Sequence, residues 1–370
     1  MKVAIVIEGF GSGGAERVAC VLSKVLAERG FEVVILTIDG VSNRFYAPPD
    51  CCSHIDLRLV RRKLPFLKRF LGFHVIRFEK IKEALREINP EVVIPFGSKL
   101  NCLVLMALEG QENKPPVIIT EHGDPQRGRM EWTYKLLRLK TYPRAKAMVC
   151  LTRYAADFWA RRIPNVPTYV IPNPFSLPEG SKDVAKKPEK KGRKIILSVG
   201  RLAYQKNYQL LLKAFSLIAD KYDDWDVHIY GEGKKRKELI RLAERLGIKD
   251  RVFLPGVTDE ISTIYLNAEI YVQSSFFEGF CNTLVEAMSL GLPVVVTNWN
   301  GVEDLVEDGV NGLVVPFSEE NLAEAMERLI NNENLRCKLG KEAQKLKYKL
   351  TVEQYGEAWF RVVKENAGCK

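Results

Sequence analysis

The chain has 370 residues, 46% of them apolar and 28% charged, which is the composition of an ordinary soluble protein of about two domains. No apolar run reaches the roughly 18 to 20 residues that a transmembrane helix needs, and the opening residues lack the cleavage site of a signal peptide. The eight cysteines form no C-x-x-C pair, so we expect neither disulfides nor a zinc site. These features exclude a disordered, fibrous or membrane-spanning chain and predict a cytoplasmic protein.

The net charge of +10 is concentrated in two short segments. Arg58 to Lys82 carries nine Lys or Arg against one Glu, and Lys182 to Lys194 carries seven against two acidic residues. A nucleic-acid-binding protein would show a basic face tied to a reading motif. Because the excess charge lies in two segments without such a motif, we expect no nucleic-acid partner.

Apolar, β-branched runs alternate with helical patterns through the first half of the chain, and the second half repeats this order. Such runs predict buried parallel strands, with helices covering both faces of each sheet. The predicted strands are 3–7, 31–38, 91–95, 117–120, 147–151 and 168–171 in the first half, and 195–199, 227–230, 252–254, 270–273, 293–297 and 313–315 in the second. The sequence therefore predicts an α/β chain of two Rossmann-like, doubly wound parallel-sheet domains. The predicted division is a first domain 1–175, a linker 176–194, a second domain 195–350 and a C-terminal helix 351–370.

A glycine-rich turn follows the first predicted strand. Gly9, Gly11 and Gly14 match G-x-G-x-x-G, and Asp39 follows the next strand, about where a ribose-binding acid lies in a dinucleotide site. Such turns bind many anionic groups, because backbone N–H groups and the helix dipole favour negative charge. Three interpretations stay open here: a nicotinamide or flavin site, a loop for another phosphate or sugar, and a turn with a purely structural role.

The most specific pattern lies between Ser275 and Ala287, where seven residues separate Glu278 from Glu286. The first carboxylate lies in a loop after a predicted strand, and the second lies about one turn inside the following helix. Gly279 lets the backbone approach a ligand closely, and the N–H groups at the start of that helix suit a diphosphate. Glu278 would then accept sugar hydroxyls and Glu286 ribose hydroxyls. The alternative is that both acids are surface or capping residues.

A basic pair follows the first strand of the second predicted domain. Arg201, directly after Gly200, offers a planar guanidinium, and Lys206 offers a compact ammonium, both at the carboxyl edge of the sheet. Together with a helix N-terminus, these two cations would balance the charge of a leaving diphosphate. The pair favours a phosphate and sugar site around the two carboxylates.

At this point the sequence resembles glycosyltransferase family 4. The matching segments span nearly the whole chain: Gly13-Gly14-Ala15-Glu16, Gly200-Arg201 with Lys206, Tyr230-Gly231-Glu232-Gly233, Pro255-Gly256-Val257, and the segment from Glu278 to Glu286 followed by Gly291-Leu292-Pro293-Val294-Val295. The resemblance implies the GT-B fold, in which two Rossmann-like domains face each other across a cleft. It also implies retention of anomeric configuration and a C-terminal helix that crosses back onto the first domain.

The resemblance also implies roles for individual residues. Arg201 and Lys206 would hold the donor diphosphate, and Glu278 the transferred sugar. His122, in Glu121-His122-Gly123-Asp124, matches the family histidine that reaches the donor sugar, although a loop histidine making only local bonds is the alternative. The expected catalytic residues are Glu278, His122, Arg201 and Lys206, and the expected donor-binding residues are Gly14, Arg201, Lys206, Glu278, Gly279, Phe280, Cys281, Asn282, Thr283, Leu284 and Glu286.

One short motif raises the question of a metal ion. Asp224-Trp225-Asp226 spells D-x-D, which other glycosyltransferases use to hold a divalent cation on the nucleotide. The motif precedes a predicted strand, so it should lie at the amino edge of the sheet, away from the ligand edge. We therefore expect no metal and no other cofactor, with electrostatic stabilisation supplied by Arg201, Lys206 and the helix start.

The basic segment from Arg58 to Lys82 is interpreted as an acceptor and membrane element. Apolar side chains share one helical stripe, and cations lie on a neighbouring face. Such a pattern predicts an interfacial helix on an anionic membrane surface, or else a solvated basic helix packed on the first sheet. In the family that the chain resembles, the first domain receives the acceptor, which favours a lipid-linked acceptor. The expected acceptor-binding residues are Gly13, Arg61, Arg62, Lys68, Arg69 and Arg77.

These patterns predict a metal-independent, retaining glycosyltransferase, peripheral on the inner face of the cell membrane. It would transfer a hexose or N-acetylhexosamine from a UDP-sugar to a polyprenyl-diphosphate-linked oligosaccharide, as similar bacterial enzymes of N-glycosylation pathways do. An enzyme of lipopolysaccharide or capsule assembly is the nearest alternative. A dinucleotide-dependent oxidoreductase and a non-catalytic membrane-binding module are the alternatives of another class. The sequence identifies no carboxylate nucleophile, so a covalent route and a front-face route both stay open.

Overall fold

A computed structural model describes residues 1–11, 13–39, 45–59, 72–127, 132–176, 192–258 and 260–367. The chain divides into two compact units: Met1–Pro174 with Val352–Lys370 form the first, and Phe175–Thr351 the second. Strands and helices alternate in both units, and every strand pairing is parallel. Two α/β units with parallel sheets are the architecture that the sequence predicts.

The elements of the first unit are β1 (Lys2–Ile7), α1 (Gly14–Glu28), β2 (Glu32–Thr37), β3 (Ser53–Asp56), α2 (Gly72–Ile88), β4 (Val92–Pro95), α3 (Ser98–Ala107), β5 (Ile118–Glu121), α4 (Trp132–Thr141), β6 (Ala147–Cys150), α5 (Arg153–Ala160), β7 (Thr168–Val170) and α13 (Val352–Asn366). Those of the second unit are β8 (Lys194–Val199), α6 (Tyr208–Ser216), β9 (Trp225–Tyr230), α7 (Arg236–Arg245), β10 (Val252–Gly256), α8 (Ile261–Asn267), β11 (Ile270–Gln273), α9 (Asn282–Ser289), β12 (Val294–Thr297), β13 (Leu313–Val315), α10 (Glu319–Asn331), α11 (Glu333–Gln344) and α12 (Leu346–Lys349).

The first unit contains a sheet in the order β3-β2-β1-β4 and a second sheet in the order β5-β6-β7. Isolated parallel bridges from Val93 to Val117 and from Phe96 to Thr120 continue the ladder from β4 to β5. Alternate residues of β1 enter two separate hydrophobic clusters, one on each face of the sheet. A strand buried on both faces has no polar side, which explains why the sequence shows continuous apolar runs.

Strand β3 is absent from the predicted strands. Its sequence, Ser-His-Ile-Asp, is polar, and its side chains alternate between exposed and half-buried positions at the edge of the sheet. An edge strand needs no continuous apolar run because one side of it meets solvent. Hydrophobic patterning therefore detects the interior strands and misses this one.

Helix α13 packs on α1 within the first unit. Tyr355, Trp359 and Val363 of α13 share a buried cluster with Leu22 of α1. Gly356 marks the closest approach, since a Cβ there would lie 2.2 Å from Cγ1 of Val25. Valine is stiff at χ1, so the two helices would have to separate to admit a side chain.

The second unit has one six-stranded sheet in the order β10-β9-β8-β11-β12-β13. Strands β8 and β11 are neighbours in space but not in sequence, so the direction of chain progression reverses between them. Ligands of open α/β sheets bind at the carboxyl ends of the strands at such a switch point. The sheet topology therefore selects the loops after β8 and β11 as the candidate site.

The close packing of α13 on α1 yields a stability prediction. Gly356→Ala should lower the free energy of unfolding of the first unit by about 1–3 kcal/mol through overpacking. Intrinsic helix propensity alone would favour alanine by about 0.8–1.0 kcal/mol. The sign of the change in the free energy of unfolding therefore distinguishes overpacking from helix propensity. Urea denaturation with hydrogen exchange of α13 measures the change. Glu357→Ala, at the next and exposed position, is the matched control, and an alanine variant at 356 as stable as the wild type would contradict the packing.

Candidate active site

Backbone contact between two loops shapes the carboxyl edge of the second sheet. Gly231, after β9, has a φ of +136°, and a Cβ there would lie 2.1 Å from the carbonyl oxygen of Gly200, after β8. Only glycine permits this approach. After Gly200, the chain forms a 3₁₀ turn, Tyr204–Lys206. Asn207, in the left-handed conformation, then leads into α6. This short path directs the side chain of Lys206 back over the end of the sheet.

Lys206 and Glu278 form a buried ion pair at that edge. The Lys206 Nζ lies 2.8 Å from the Glu278 Oε1, and the two side chains are only 14% and 7% exposed. Burial disfavours the ammonium form, but the neighbouring Cys281 sulfur and Glu278 carboxylate outweigh it and raise the pKa of Lys206 above its ordinary value. Lys206 is therefore positively charged throughout the physiological pH range.

Glu278 accepts hydrogen bonds from four side chains. Its Oε1 is 2.8 Å from Lys206 Nζ, 2.6 Å from Ser275 Oγ and 3.1 Å from Gln273 Nε2, and its Oε2 is 2.9 Å from Gln205 Nε2. A buried carboxylate needs such partners because its desolvation is otherwise unfavourable. The carboxylate has about four acceptor positions. Oε1 already accepts from three donors and Oε2 from one, so Oε2 is the oxygen that can accept a hydrogen bond from a ligand hydroxyl.

Glu286 lies within α9 and is 4% exposed. The Tyr265 hydroxyl donates to its Oε2 at 2.8 Å. Burial and the nearby Glu286 carboxylate raise the pKa of Tyr265, so the phenol stays a proton donor. The carboxylate is thus held in a fixed orientation about one turn inside α9, as the spacing of the two glutamates predicts.

The loop from Glu278 to α9 carries most of the predicted donor-binding residues. Gly279 lies in this loop, Cys281 is the N-cap, and Asn282, Thr283 and Leu284 form the first turn of α9. Cys281 has no side-chain hydrogen bond that caps the helix. Its sulfur lies 3.9 Å from Lys206 Nζ, and burial raises the pKa of its thiol. The positive end of the helix dipole therefore lies next to the ammonium of Lys206.

Two other predicted donor residues of this unit differ in burial. Phe280 is 8% exposed and packs inward. Arg201, directly after Gly200, is exposed. The exposed guanidinium of Arg201 can reorient onto an anion, whereas the buried ammonium of Lys206 is held by Glu278.

His122 lies in the first unit, just after β5. Its ring stacks on Phe96 with centroids 4.9 Å apart, and its Nε2 is 3.0 Å from Thr120 Oγ1. The Thr120 hydroxyl donates its own proton to the carbonyl of Pro95 at 2.7 Å, so it accepts from the histidine. This assigns the ring proton to Nε2 and leaves the buried Nδ1 as an acceptor without a partner among the described residues. Burial lowers the pKa of His122 to about 4, so the ring is neutral at physiological pH.

A charged cluster is buried beside His122 in the first unit, and the sequence analysis did not find it. Glu121 accepts from Arg138 Nη2 at 2.8 Å and from the Tyr142 hydroxyl. The Arg138 guanidinium also lies 4.4 Å from the ring centroid of Trp159. Glu121 is 2% exposed and Arg138 5% exposed. The pair therefore anchors the end of β5 to α4 and α5, and β5 leads directly to His122.

The predicted acceptor residues fall in three places. Gly13 is the N-cap of α1, and the next residue, Gly14, which is a predicted donor-binding residue, is the first of the helix. Arg77, in α2, is buried, and its Nη2 lies 2.7 Å from both carboxylate oxygens of Glu8. Arg61, Arg62, Lys68 and Arg69 lie outside the described residues. A role of these residues in acceptor binding stays a prediction.

The D-x-D motif lies at the amino end of β9. Asp226 accepts from Arg193 Nε at 2.7 Å and from Arg251 Nε at 2.9 Å, and Asp224 pairs with Lys194 at 2.8 Å. Both carboxylates are thus engaged by cations of the second unit, at the edge of the sheet opposite Lys206 and Glu278.

Within the described part of the chain, neither a metal-ligand cluster nor a membrane-spanning helix occurs. Three or more His, Cys, Asp or Glu side chains never come together there in an arrangement suited to a metal ion. No helix in the same residues combines the length and the hydropathy of a transmembrane span.

The sequence analysis missed the side chains that orient the two glutamates. Gln205, Gln273 and Ser275 bind Glu278, and Tyr265 binds Glu286. One signal was available: Gln273 is a polar residue in a run that otherwise suits a fully buried strand. A buried polar side chain requires a partner, and the partner here is the carboxylate of Glu278.

The neutral state of His122 yields a prediction on pH dependence. Because its folded-state pKa of about 4 lies below the ordinary value of 6.5, the unfolded chain binds the proton first as the pH falls. The contribution of the neutral His122 ring to the free energy of unfolding is therefore complete above about pH 6.5. It decreases as the pH falls from 6.5 towards 4. Histidine NMR titration should show the His122 ring neutral at pH 6, with His122→Gln identifying its resonance. Between pH 6.5 and 4, the His122→Gln variant should also lose less stability than the wild type does. A ring pKa near 6.5 would contradict the assignment of a neutral His122.

Two family models match the chain in succession. The model described as "Glycosyltransferase Family 4" matches residues 12–177, and the model described as "Glycosyl transferases group 1" matches residues 181–346. The first match lies in the unit that carries His122, and the second in the unit that carries Lys206 and Glu278.

Two curated relatives from Campylobacter jejuni are similar along the chain. The GalNAc-alpha-(1->4)-GalNAc-alpha-(1->3)-diNAcBac-PP-undecaprenol alpha-1,4-N-acetyl-D-galactosaminyltransferase is 28% identical over 368 residues, which is 99% of this chain and 99% of the relative. The N-acetylgalactosamine-N,N'-diacetylbacillosaminyl-diphospho-undecaprenol 4-alpha-N-acetylgalactosaminyltransferase is 29% identical, over 90% of this chain and 92% of the relative.

Among solved structures, Anabaena HepE in complex with UDP and glucose has a similar fold. Its TM-score is 0.78 at 17% identity, and the match covers 98% of this chain and 99% of the Anabaena chain. The two parallel-sheet units are thus those of a GT-B enzyme, and the two matched family models are both glycosyltransferase domains. The chain therefore belongs to the GT-B glycosyltransferases of family 4 and is a glycosyltransferase.

Proposed function

We propose that this enzyme transfers a hexose or N-acetylhexosamine from a UDP-sugar to a polyprenyl-diphosphate-linked oligosaccharide, with retention of anomeric configuration. The observation that carries the donor half is the buried Lys206–Glu278 pair at the switch point of the second sheet. A diphosphate needs a cation, and the hydroxyls of a sugar need a hydrogen-bond acceptor. The pair supplies both, with the Lys206 ammonium 2.8 Å from the Glu278 carboxylate.

Charge balance supports departure of a nucleoside diphosphate. Lys206 supplies a permanent ammonium, the α9 N-terminus supplies partial positive charge, and the exposed Arg201 can close on the phosphates. Glu286 then accepts the ribose hydroxyls. We assign the charge stabilisation to these groups and not to a divalent cation. The carboxylates of the D-x-D motif lie at the opposite edge of the sheet and are paired with Arg193, Arg251 and Lys194.

The acceptor half of the proposal is supported by the relatives and by the basic segment. Both Campylobacter enzymes carry undecaprenol and a diphosphate linkage in the names of their substrates. Arg58 to Lys82 supplies the cations that a lipid diphosphate and an anionic bilayer would attract, about 1 kcal/mol per cation near the surface. Association with the inner face of the cell membrane follows from the location of such a lipid.

The surroundings of Glu278 favour sugar binding over nucleophilic attack. Four donors share the negative charge of this carboxylate, which weakens it as a nucleophile. We therefore propose a front-face route in which the departing phosphate takes the proton of the acceptor hydroxyl. By the family resemblance, His122, whose ring is neutral, would contact the donor sugar. A trapped glycosyl-enzyme adduct would contradict this route.

A panel of nucleotide sugars tests the donor assignment. The enzyme should hydrolyse one UDP-sugar slowly without acceptor, and EDTA should leave the rate unchanged. Glu278→Gln should lower kcat about a hundredfold and change the affinity for UDP less than about threefold, because the carboxylate contacts only the sugar.

The control for the donor assignment addresses the buried charge that Glu278→Gln leaves on Lys206. Loss of one partner of a buried ion pair destabilises a protein by about 3–5 kcal/mol. The double variant Lys206→Met/Glu278→Gln contains a neutral pair, so it should fold and bind UDP weakly. Wild-type protein that binds no UDP, or that turns over only with a metal ion, would overturn the assignment.

A second experiment tests the acceptor. Charge reversal at Arg62 and Arg69 should lower transfer to a diphosphate-linked acceptor and leave the hydrolysis of the UDP-sugar unchanged. Charge reversal at Lys182 and Lys186, in the other basic segment, is the matched control for total charge. Transfer that is unaffected by the first pair would remove these residues from the acceptor site.

A further inference from the structure

Strand β11 carries two polar side chains in the interior of the second unit. The strand lies between β8 and β12, and all of its residues are buried. Ile270 and Val272 enter the hydrophobic cluster of this unit. Tyr271 and Gln273 alternate with them on the opposite face, and both are 0% exposed. An interior parallel strand is normally apolar on both faces, so this polar face requires an explanation.

The two side chains belong to a closed circuit of contacts, here called the polar ring. Its members are Lys206, Glu278, Gln273, Tyr271, Thr283 and Cys281. Successive contacts are 2.8 Å from Lys206 Nζ to Glu278 Oε1, 3.1 Å from Glu278 Oε1 to Gln273 Nε2, and 2.8 Å from Gln273 Oε1 to the Tyr271 hydroxyl. The others are 2.9 Å from the Tyr271 hydroxyl to Thr283 Oγ1, 3.4 Å from Thr283 Oγ1 to Cys281 Sγ, and 3.9 Å from Cys281 Sγ to Lys206 Nζ.

Chemistry assigns one direction to every hydrogen bond of the polar ring. The Gln273 amide must turn an N–H towards the Glu278 carboxylate, so its oxygen accepts from Tyr271. The single phenolic proton is then used, and Tyr271 accepts from the Thr283 hydroxyl. Burial raises the pKa of both Tyr271 and Cys281, so each keeps its proton.

The remaining links follow the same direction. The Cys281 thiol donates to Thr283, and Lys206 donates both to the Cys281 sulfur and to Glu278. Both arcs of the polar ring therefore run from the ammonium to the carboxylate. Aligned hydrogen bonds polarise and strengthen one another.

We propose that Tyr271 and Gln273 are positioning residues that orient the Glu278 carboxylate for the donor sugar. This inference rests on the proposed function, because it takes Glu278 as the sugar-binding group. The polar ring holds Oε1 through Gln273 and Lys206, which leaves Oε2 turned towards the ligand. Neither Tyr271 nor Gln273 contacts the substrate, since both side chains lie in the interior beneath the loop.

The second unit provides a matched tyrosine for comparison. Tyr265 is also fully buried, its ring centroid lies 6.0 Å from that of Tyr271, and its hydroxyl binds Glu286 at 2.8 Å. By the same argument, Tyr265 orients the ribose-binding carboxylate. Removal of the Tyr271 hydroxyl should therefore affect recognition of the sugar, and removal of the Tyr265 hydroxyl should affect recognition of the nucleotide.

Isothermal titration of the full chain with UDP and with UDP-N-acetylgalactosamine, or with the UDP-sugar that the donor panel identifies, tests the proposal. Tyr271→Phe should weaken binding of the UDP-sugar relative to binding of UDP by about tenfold, the effect of one hydrogen bond of about 1.4 kcal/mol. Tyr265→Phe should weaken both ligands by a similar factor. Tyr222→Phe, which loses a hydroxyl bonded to Glu327 away from the site, should change neither.

A second variant guards against loss of folding. Gln273→Met replaces the amide by an apolar side chain of similar length and should lower the same relative affinity. The double variant with Tyr271→Phe should lose little further relative affinity, because both changes interrupt the same polar ring. Wild-type protein that binds no nucleotide would overturn the proposed function and this inference with it. Normal wild-type binding, together with an unchanged relative affinity in Tyr271→Phe or an equal loss for both ligands, would overturn the inference alone.

Discussion

The buried ion pair of Lys206 and Glu278 is the interaction on which the candidate active site of the second unit depends. Two charges taken out of water are favourable only when each meets its partner and further hydrogen bonds. The loops after β8 and β11 can meet this requirement because the two strands are neighbours in the sheet although they are distant in sequence. The backbone contact between Gly200 and Gly231 and the left-handed Asn207 then direct Lys206 inward. The protein thus holds a cation and an anion together where a substrate carrying a diphosphate and a sugar would bind.

Burial and neighbouring groups assign a protonation state to Lys206, His122 and Cys281. The Cys281 sulfur and the Glu278 carboxylate raise the pKa of Lys206 although burial opposes them, whereas burial lowers the pKa of His122. The pKa of Cys281 is raised, so it remains a thiol beside the ammonium. Around Lys206 the result is one cation paired with the Glu278 carboxylate, next to a neutral thiol. Under the proposed function, such a set would bind a diphosphate by charge and sugar hydroxyls by hydrogen bonding.

Several charged groups that the sequence shows are paired with one another in the folded chain. Arg77 is one of the nine cations between Arg58 and Lys82, yet its guanidinium is bound by Glu8. The D-x-D motif matches a metal-binding pattern, yet arginines and a lysine engage its carboxylates. Glu121, next to His122, is committed to Arg138 and Tyr142. In each case a partner distant in sequence neutralises the group, and only the folded chain brings that partner near.

The sequence alone determined the parallel α/β class, the two repeated halves and the interior strands, because continuous apolar runs are the direct consequence of burial on both faces. It also indicated Arg201, Lys206, Glu278 and Glu286, since these groups follow strands whose carboxyl ends form ligand sites. Only the tertiary structure decided which of these charges pair, that Tyr271 and Gln273 join them in a ring, and that His122 is neutral. Hydrogen-bond partners and desolvation depend on residues brought together from distant positions, and linear spacing carries no information about them. The polar edge strand β3 was missed for a related reason: sheet pairing, and not its own hydrophobicity, makes it a strand.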